Sequence, residues 1–338
     1  MSDLIDLLQR QREKLGYIGP EQFSQSADEA ISVSIEGDLG KENLVPSWPE
    51  CVAYLDSSSR SITMKGVRIT LGGLFLNDCG HHVALPLSSL RGSPPFLAVK
   101  ASRDALLAVE SSGLAWVRSP IGELYLGDYK DDNVGDELRL RLENWAIGAA
   151  KASLVLMDGP LVPGVRLDVL PQRYREAYDV LIKEREPHMS RLAGVVKRLN
   201  MSWKLHRAGL DKGGRSGPDP EVMDRLCGST DPCFSPVLRE DTPLTRYMVY
   251  VRLRGNTVRV EATSRDNLRS ALAMVLTHRG YRGVPTFIET ADRISRRLSA
   301  SVYSLAFLYG LPKLGVEYDE WSKFEDVRRE LGGTDFQS

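Results

Sequence analysis

Two apolar runs in this chain end in an aspartate that is followed by small residues. CVAYLD ends at Asp56 and continues with three serines, and SLVLMD ends at Asp158 and continues with Gly-Pro. Apolar runs of this length predict buried strands, and strand ends in parallel or mixed sheets face the crevice where ligands bind. Both carboxylates are therefore candidates for holding a metal ion or a substrate. Since aspartate and serine also form turns readily, the alternative is that Asp56 only starts a turn.

Two further acids complete a recognisable order along the chain. Glu143 lies on a predicted helix, 133–151, between the two apolar runs, and Asp292 lies on a late predicted helix. The order of strand acid, helix acid, strand acid and late-helix acid is typical of ribonuclease H-like nuclease folds. Clustered carboxylates repel one another unless a cation lies between them, and oxygen ligands suit Mg²⁺ or Mn²⁺. Such ions can stabilise both oxygens of a phosphodiester displacement. With 45 acidic residues in the chain, the order by itself does not establish a site.

Basic residues offer local rather than global contacts for a nucleic acid, because the net charge is only −1. Arg293, Arg296 and Arg297 share the late helix with Asp292, so they either guide a phosphate backbone or form a solvated basic face. Lys197 follows the apolar run LAGVV, and a lysine there is awkward to bury without an acid or a phosphate beside it.

Other chemistries fit the sequence less well. Adjacent His81 and His82 point to opposite faces of a strand and do not share a metal. The segment GGRSG lacks the Gly-Lys-Ser/Thr ending of a phosphate-binding loop, so the chain is not a motor ATPase. Glu261 alternates with valines in a predicted hairpin strand and faces either the cleft, as a further ligand, or solvent. We expect reduced, structural cysteines at four scattered positions: Cys51, Cys79, Cys227 and Cys233.

The predicted elements alternate between strands and helices and indicate an α/β fold with a mixed central sheet flanked by helices. Helices are predicted at 3–15, 133–151, 171–190, 219–227, 266–279, 285–309 and 319–330. Strands are predicted in CVAYLD, SITMKGVRITLGGLFL, HHVALPL, GLAWVR, ELYLGD, SLVLMD, LAGVVKRL, RYMVYVRLRG and TVRVEATS. We divide the chain into an N-terminal helix and extension (1–45), a main domain (46–312) with a long surface excursion (207–243), and a C-terminal helix and tail (313–338). No apolar run is long enough to cross a membrane and the N-terminus lacks signal-peptide features, so we expect a cytoplasmic protein without a membrane partner.

Six segments, in order, resemble the motifs of the NurA nuclease family between about residue 45 and residue 310. They are YLDSSS, RLRLENWAIGAAKA, LVLMDGPL, LAGVVKRLN, VRVEATS and GVPTFIETADRIS. The resemblance implies a manganese-dependent nuclease with a ribonuclease H-like core, with Mg²⁺ as the other possible ion. It implies action on DNA, as a 5′ to 3′ exonuclease and single-strand endonuclease, by a homodimer that works beside a hexameric HerA-like ATPase in double-strand-break end resection.

The resemblance also implies roles for particular residues. Asp56, Glu143 and Asp158 would be metal ligands, Asp292 would take the place of the family's late histidine, and Lys197 would face the scissile phosphate. The chain departs from the family pattern at three positions: Ser57 replaces a glycine, Val284 replaces a tyrosine, with Tyr281 nearby, and Asp292 replaces the histidine. A carboxylate suits Mn²⁺ or Mg²⁺ but does not carry a proton as a neutral imidazole does near pH 7.

These departures leave other functions open. The first alternative is a non-catalytic DNA clamp or regulatory subunit that docks on a HerA-like ATPase, with its N-terminal helix as the candidate contact. The second is a ribonuclease or recombination nuclease of the same fold class.

Overall fold

A computed structural model describes residues 2–11, 33–38, 51–88, 92–162, 170–200, 202–211, 217–242 and 244–332. Its strands are β1 Val33–Ile35, β2 Val52–Met64, β3 Val67–Asp78, β4 His81–Leu85, β5 Leu97–Lys100, β6 Leu154–Asp158, β7 Leu192–Val196, β8 Cys233–Phe234, β9 Leu238–Glu240, β10 Arg246–Leu253 and β11 Asn256–Ala262. Its helices are α1 Ser2–Arg10, α2 Arg103–Glu110, α3 Asp131–Ala149, α4 Gln172–Arg185, α5 Lys204–Arg207, α6 Asp219–Cys227, α7 Arg265–Thr277, α8 Thr286–Leu314 and α9 Asp319–Leu331. A 3₁₀ helix, Glu186–Arg191, follows α4.

All the described strands join one mixed sheet, in the order β1-β9-β10-β11-β7-β6-β2-β3-β4, with β5 on β3 and β8 on β10. The strands β2, β6 and β7 are parallel, whereas β2, β3 and β4 form an antiparallel meander. An antiparallel meander continued by parallel strands is the arrangement expected of a ribonuclease H-like core. The predicted α/β fold with a mixed central sheet flanked by helices is confirmed.

The strand that carries Asp56 does not end there, and the prediction of a strand tip at this residue is wrong. β2 continues through the three serines to Met64 and pairs with β3 along its whole length. The neighbouring strand on the other side, β6, does end at Asp158. Asp56 therefore lies inside a long strand, at the level where its parallel neighbour β6 stops.

Small side chains in β2 and β3 allow helices to pack closely on both faces of this hairpin. A Cβ at Gly72 would lie 2.6 Å from Leu142 of α3, and a Cβ at Gly73 would lie 2.5 Å from the backbone nitrogen of Ser299 in α8. Because consecutive strand residues face opposite sides, α3 and α8 cover opposite faces. The serines after Asp56 serve the same packing, since Ser299 Oγ donates to Ser58 Oγ at 3.2 Å.

Most helices match their predictions, but several local expectations are wrong. α3 begins two residues before its predicted start. The segments GLAWVR and ELYLGD form isolated bridges rather than strands, and β5 was not predicted. Residues 12–15 of the predicted first helix lie outside the described part of the chain.

The four cysteines form two disulfides, and the first helix packs on the chain's own core. The expectation of reduced cysteines is wrong, because Cys51 pairs with Cys79 and Cys227 pairs with Cys233 in disulfides. The apolar face of α1 is buried in the chain's own core, against α2 and α8. No helix among the described residues combines the length and the apolar character of a membrane span.

Candidate metal centre

The parallel register of β2 and β6 places two of the predicted acids side by side. Leu55 aligns with Met157, so the next residues, Asp56 and Asp158, lie next to each other on the same face of the sheet. Leu55 and Met157 both point into the core beneath α3, so their neighbours point to the opposite face, where α8 packs. The two carboxylates thus meet beneath α8.

The third acid of the cluster comes from α8 itself. One carboxylate oxygen each from Asp56, Asp158 and Asp292 lie within 4.8 Å of one another. One turn along α8, Ser295 Oγ donates a hydrogen bond to Asp56 Oδ2, which fixes the orientation of that buried carboxylate. We call Asp56, Asp158 and Asp292 the three-acid cluster.

Lys197 supplies positive charge to the three-acid cluster. It follows the last residue of β7, as predicted, and its Nζ donates to Asp158 Oδ2 at 2.5 Å. The same ammonium lies 3.1 Å from Asp292 Oδ2. Two of the three acids are therefore paired with one lysine, whose side chain is 17% exposed.

Burial and mutual repulsion make the cluster hard to ionise. Burial raises the pKa of Asp56 well above its ordinary value, and the negative charges of Asp158, Glu143 and Asp292 raise it further, against the hydrogen bond from Ser295. Burial likewise raises the pKa of Asp158 to about 6, although Lys197 opposes the shift. A cation of higher charge would relieve this repulsion, and an all-carboxylate set of oxygen donors suits hard divalent ions. The residues present therefore fit Mn²⁺ or Mg²⁺.

Glu143 lies beside the three-acid cluster but is held by other residues. Its Oε1 accepts a hydrogen bond from Ser57 Oγ at 2.6 Å, and its Oε2 lies 2.9 Å from Arg185 Nη2. It is near enough to raise the pKa of Asp56, yet it does not belong to the group of acids that converge on one point. The structure thus brings three predicted ligands and Lys197 together and places the fourth ligand at their side.

Glu261 takes neither of the positions predicted for it, because it is fully buried. Its Oε2 accepts from Arg259 Nε at 2.9 Å, and its Oε1 accepts from the backbone N–H of Leu161 at 2.6 Å. A buried carboxylate needs such partners, and this one anchors the turn that follows Asp158.

The family of the chain follows from its match to a known domain. Residues 52–297 match the NurA domain. The chain belongs to the NurA family. A comparison with curated proteins gives no match.

Several solved structures of NurA proteins resemble the chain. The NurA nuclease from Sulfolobus solfataricus is 13% identical over 82% of this chain and 87% of that chain, with a TM-score of 0.43. A structure of NurA with manganese is 11% identical over 80% and 93% of the two chains, with a TM-score of 0.39. A structure of NurA bound to dAMP and manganese is 10% identical over 72% and 84%, also with a TM-score of 0.39.

The departures from the NurA pattern have clear structural settings. Val284 is 8% exposed and packs in an apolar cluster with Phe287, whereas Tyr281 is 88% exposed. The predicted basic group on α8, Arg293, Arg296 and Arg297, is exposed, and Arg296 lies 3.5 Å from Glu330. Their role in DNA binding stays a prediction.

Sequence reasoning missed three residues that organise this NurA site: Ser57, Ser295 and Arg185. The NurA pattern marks Ser57 only as a replacement for glycine, although its hydroxyl holds Glu143. Ser295 follows Asp292 by three residues, and this helical spacing is the signal that could have identified it. Arg185 is 2% exposed, and a charge amid the polar residues of a predicted helix gives no sign of such burial.

Proposed function

We propose that this NurA-family chain is a metal-dependent DNA nuclease in which Asp56, Asp158 and Asp292 hold Mn²⁺ or Mg²⁺, with Glu143 beside them. The observation that carries the proposal is the convergence of three carboxylate oxygens within 4.8 Å. A bound divalent ion would activate the attacking water and offset charge on the leaving oxygen of a phosphodiester.

The chain's own side chains prepare the site for a phosphodiester. Ser295 holds one oxygen of Asp56, so the carboxylate keeps its orientation when the cluster is ionised. The Lys197 ammonium, which is paired with Asp158 and Asp292, would lie within reach of a phosphate bound at these acids. Exposed arginines on the same helix, one to five residues beyond Asp292, would attract the phosphate backbone and make binding sensitive to salt.

The finer parts of the proposal come from the family resemblance. They are 5′ to 3′ exonuclease and single-strand endonuclease activity on DNA ends, work as a homodimer, and partnership with a HerA-like hexameric ATPase in double-strand-break resection. Cleavage of DNA and its dependence on a divalent ion can be tested without a partner protein, so they are the parts to test first.

A second candidate function is a non-catalytic DNA-binding subunit, and the position of Lys197 favours it. A lysine that already pairs with Asp158 and Asp292 lets the three-acid cluster persist without an ion. Such a subunit would bind DNA, by itself or with a HerA-like ATPase, and would not cut it.

Cleavage of end-labelled DNA separates the two functions. The purified chain is incubated with single- and double-stranded DNA in Mn²⁺, in Mg²⁺ and in chelator, beside the variants Asp56→Asn and Asp219→Asn. Asp219 is also a buried aspartate, and it accepts hydrogen bonds from Leu205 N–H and Tyr250 Oη rather than joining the cluster. The nuclease proposal expects cleavage that needs the ion, is lost in Asp56→Asn and persists in Asp219→Asn. DNA binding without cleavage in every ion, also with a HerA-like ATPase present, would instead establish the non-catalytic subunit.

A further inference from the structure

The turn that follows Asp158 is held through both backbone polar groups of one residue, Leu161. The backbone N–H of Leu161 donates to Glu261 Oε1 at 2.6 Å, and its carbonyl accepts from Arg185 Nη1 at 3.1 Å. Both side chains are buried, with Glu261 at 0% and Arg185 at 2% exposed. Buried charged groups are costly to place, so two of them bonded to the backbone of one residue point to a requirement for its exact position.

The guanidinium of Arg185 also reaches the acid on α3. Its Nη2 lies 2.9 Å from Glu143 Oε2, and its Nε donates to Asn144 Oδ1 at 2.9 Å. One planar group at the end of α4 thus joins the turn after Asp158 to the helix that carries Glu143. A lysine ammonium is a point charge on a flexible stem and does not reproduce these directions together.

The strand β7 limits how far the turn can shift if one of these contacts is lost. The backbone N–H of Gly159 donates to the carbonyl of Val195 at 3.0 Å. A Cβ at Gly194 of β7 would lie 2.5 Å from the Gly159 carbonyl oxygen, so the turn lies directly on that strand. Glu261 is itself fixed by Arg259. The position of the turn is therefore set by buried groups on α4, β7 and β11.

We propose that Arg185 and Glu261 are positioning residues that fix Asp158 relative to Glu143 and thereby raise the affinity of the site for a divalent cation. The inference rests on the proposed function, since it concerns the same site. Neither residue belongs to the three-acid cluster, and Arg185 acts through Glu143 and the turn. Residues of this kind around metal ligands typically contribute about 10-fold to 100-fold in metal affinity or activity.

The test compares two arginines that are both bonded to backbone carbonyls near α3 and β6. Arg191 donates to the carbonyls of Ala150, Ala152 and Ile147, at the opposite end of β6 from Asp158, and contacts none of the proposed ligands. The Mn²⁺ dissociation constant is measured by titration calorimetry, and the melting temperature without metal, for the parent chain, Arg185→Lys and Arg191→Lys. We expect Mn²⁺ affinity to fall at least about 10-fold in Arg185→Lys and to stay at the parent value in Arg191→Lys, although both variants melt earlier.

Glu261→Asp provides a second variant should Arg185→Lys fail to fold. It keeps the charge opposite Arg259, but its shorter side chain no longer reaches the Leu161 N–H, so the same loss of Mn²⁺ affinity is expected. Parent-like affinity in the folded variants would overturn the positioning role and leave the proposed function intact. A parent chain that binds no Mn²⁺ would overturn the proposed function, and this inference with it.

Discussion

Lys197 Nζ lies 2.5 Å from Asp158 Oδ2, so the side chain that would face a substrate phosphate is bonded to a proposed metal ligand. Burial alone would lower the pKa of Lys197, but the charges and hydrogen bonds of Asp158 and Asp292 together outweigh it, so the pKa is raised. The lysine is therefore charged, and a divalent cation that binds Asp158 must weaken or replace this ion pair. This competition makes Lys197 informative about both metal binding and cleavage.

We expect Lys197→Met to bind Mn²⁺ more tightly than the parent chain and to lose cleavage. Without the ammonium, the acids repel one another, so the metal-free variant should be less stable by about 1–3 kcal/mol and should gain more stability from added Mn²⁺. Melting curves with and without Mn²⁺ and a DNA cleavage assay measure the two effects.

Lys204→Met is a matched control for the loss of a lysine–carboxylate pair. Lys204 Nζ lies 2.5 Å from Glu240 Oε2 and is 14% exposed, close to the 17% of Lys197. This variant should also lose stability, but added Mn²⁺ should stabilise it no more than it stabilises the parent. Equal responses of the two variants to Mn²⁺ would contradict competition at the cluster.

Gly73→Ala tests whether the close approach of α8 positions the site. A Cβ at this position would meet the backbone of Ser295 and Ser299, which cannot rotate away, so α8 must shift together with Asp292. We expect a loss of about 1–3 kcal/mol in unfolding free energy and weaker Mn²⁺ binding. Gly127→Ala is the control, because a Cβ there has no atom within 4 Å. Unchanged Mn²⁺ affinity in Gly73→Ala would show that the site tolerates movement of the helix.

Glu137, which lies outside the proposed metal site, should make the stability of the chain depend on pH. This carboxylate on α3 is fully buried, and burial raises its pKa from 4.5 to about 7, although hydrogen bonds from Tyr129 and Tyr125 oppose the shift. The folded chain therefore binds a proton more readily than the unfolded chain. The contribution of the protonated acid is complete below the unfolded value and is lost as pH rises through about 7.

Glu137→Gln should remove this dependence, because the amide stays neutral. Relative to the variant, the parent chain should lose about 3 kcal/mol of unfolding free energy between about pH 4 and pH 8. Urea unfolding of both proteins across this range measures the difference. Parallel stability curves would mean that Glu137 keeps an ordinary pKa.

The sequence indicated the acids more reliably than the structure around them. Apolar runs that stop at a carboxylate pointed to Asp56 and Asp158 because buried strands are readable from composition alone. The continuation of β2 through three serines was not readable, since serine is common in turns and the serines pack here only because α3 and α8 are so close. The contacts that Arg185 and Glu261 make with Leu161 join residues 24 and 100 positions apart in the chain, so no local pattern predicts them.

Asp292→His restores the histidine that the NurA pattern expects at this position. The variant tests how the aspartate changes the preference of the site between Mg²⁺ and Mn²⁺. An all-carboxylate cluster suits Mg²⁺ and Mn²⁺, whereas imidazole favours transition metals. The variant also loses the ion pair at 3.1 Å with Lys197, which leaves that ammonium bonded mainly to Asp158. We therefore expect Asp292→His to lose affinity for Mg²⁺ by a larger factor than for Mn²⁺, as measured by calorimetric titration with each ion.

Asp292→Asn is the control, because it removes the charge without adding a nitrogen ligand, and it should weaken the binding of both ions. An equal loss for both ions would contradict a role of Asp292 in ion preference. If neither Asp292→His nor Asp292→Asn changed the affinity for either ion, Asp292 would not be a ligand, and the three-acid cluster would reduce to its two strand acids and Lys197.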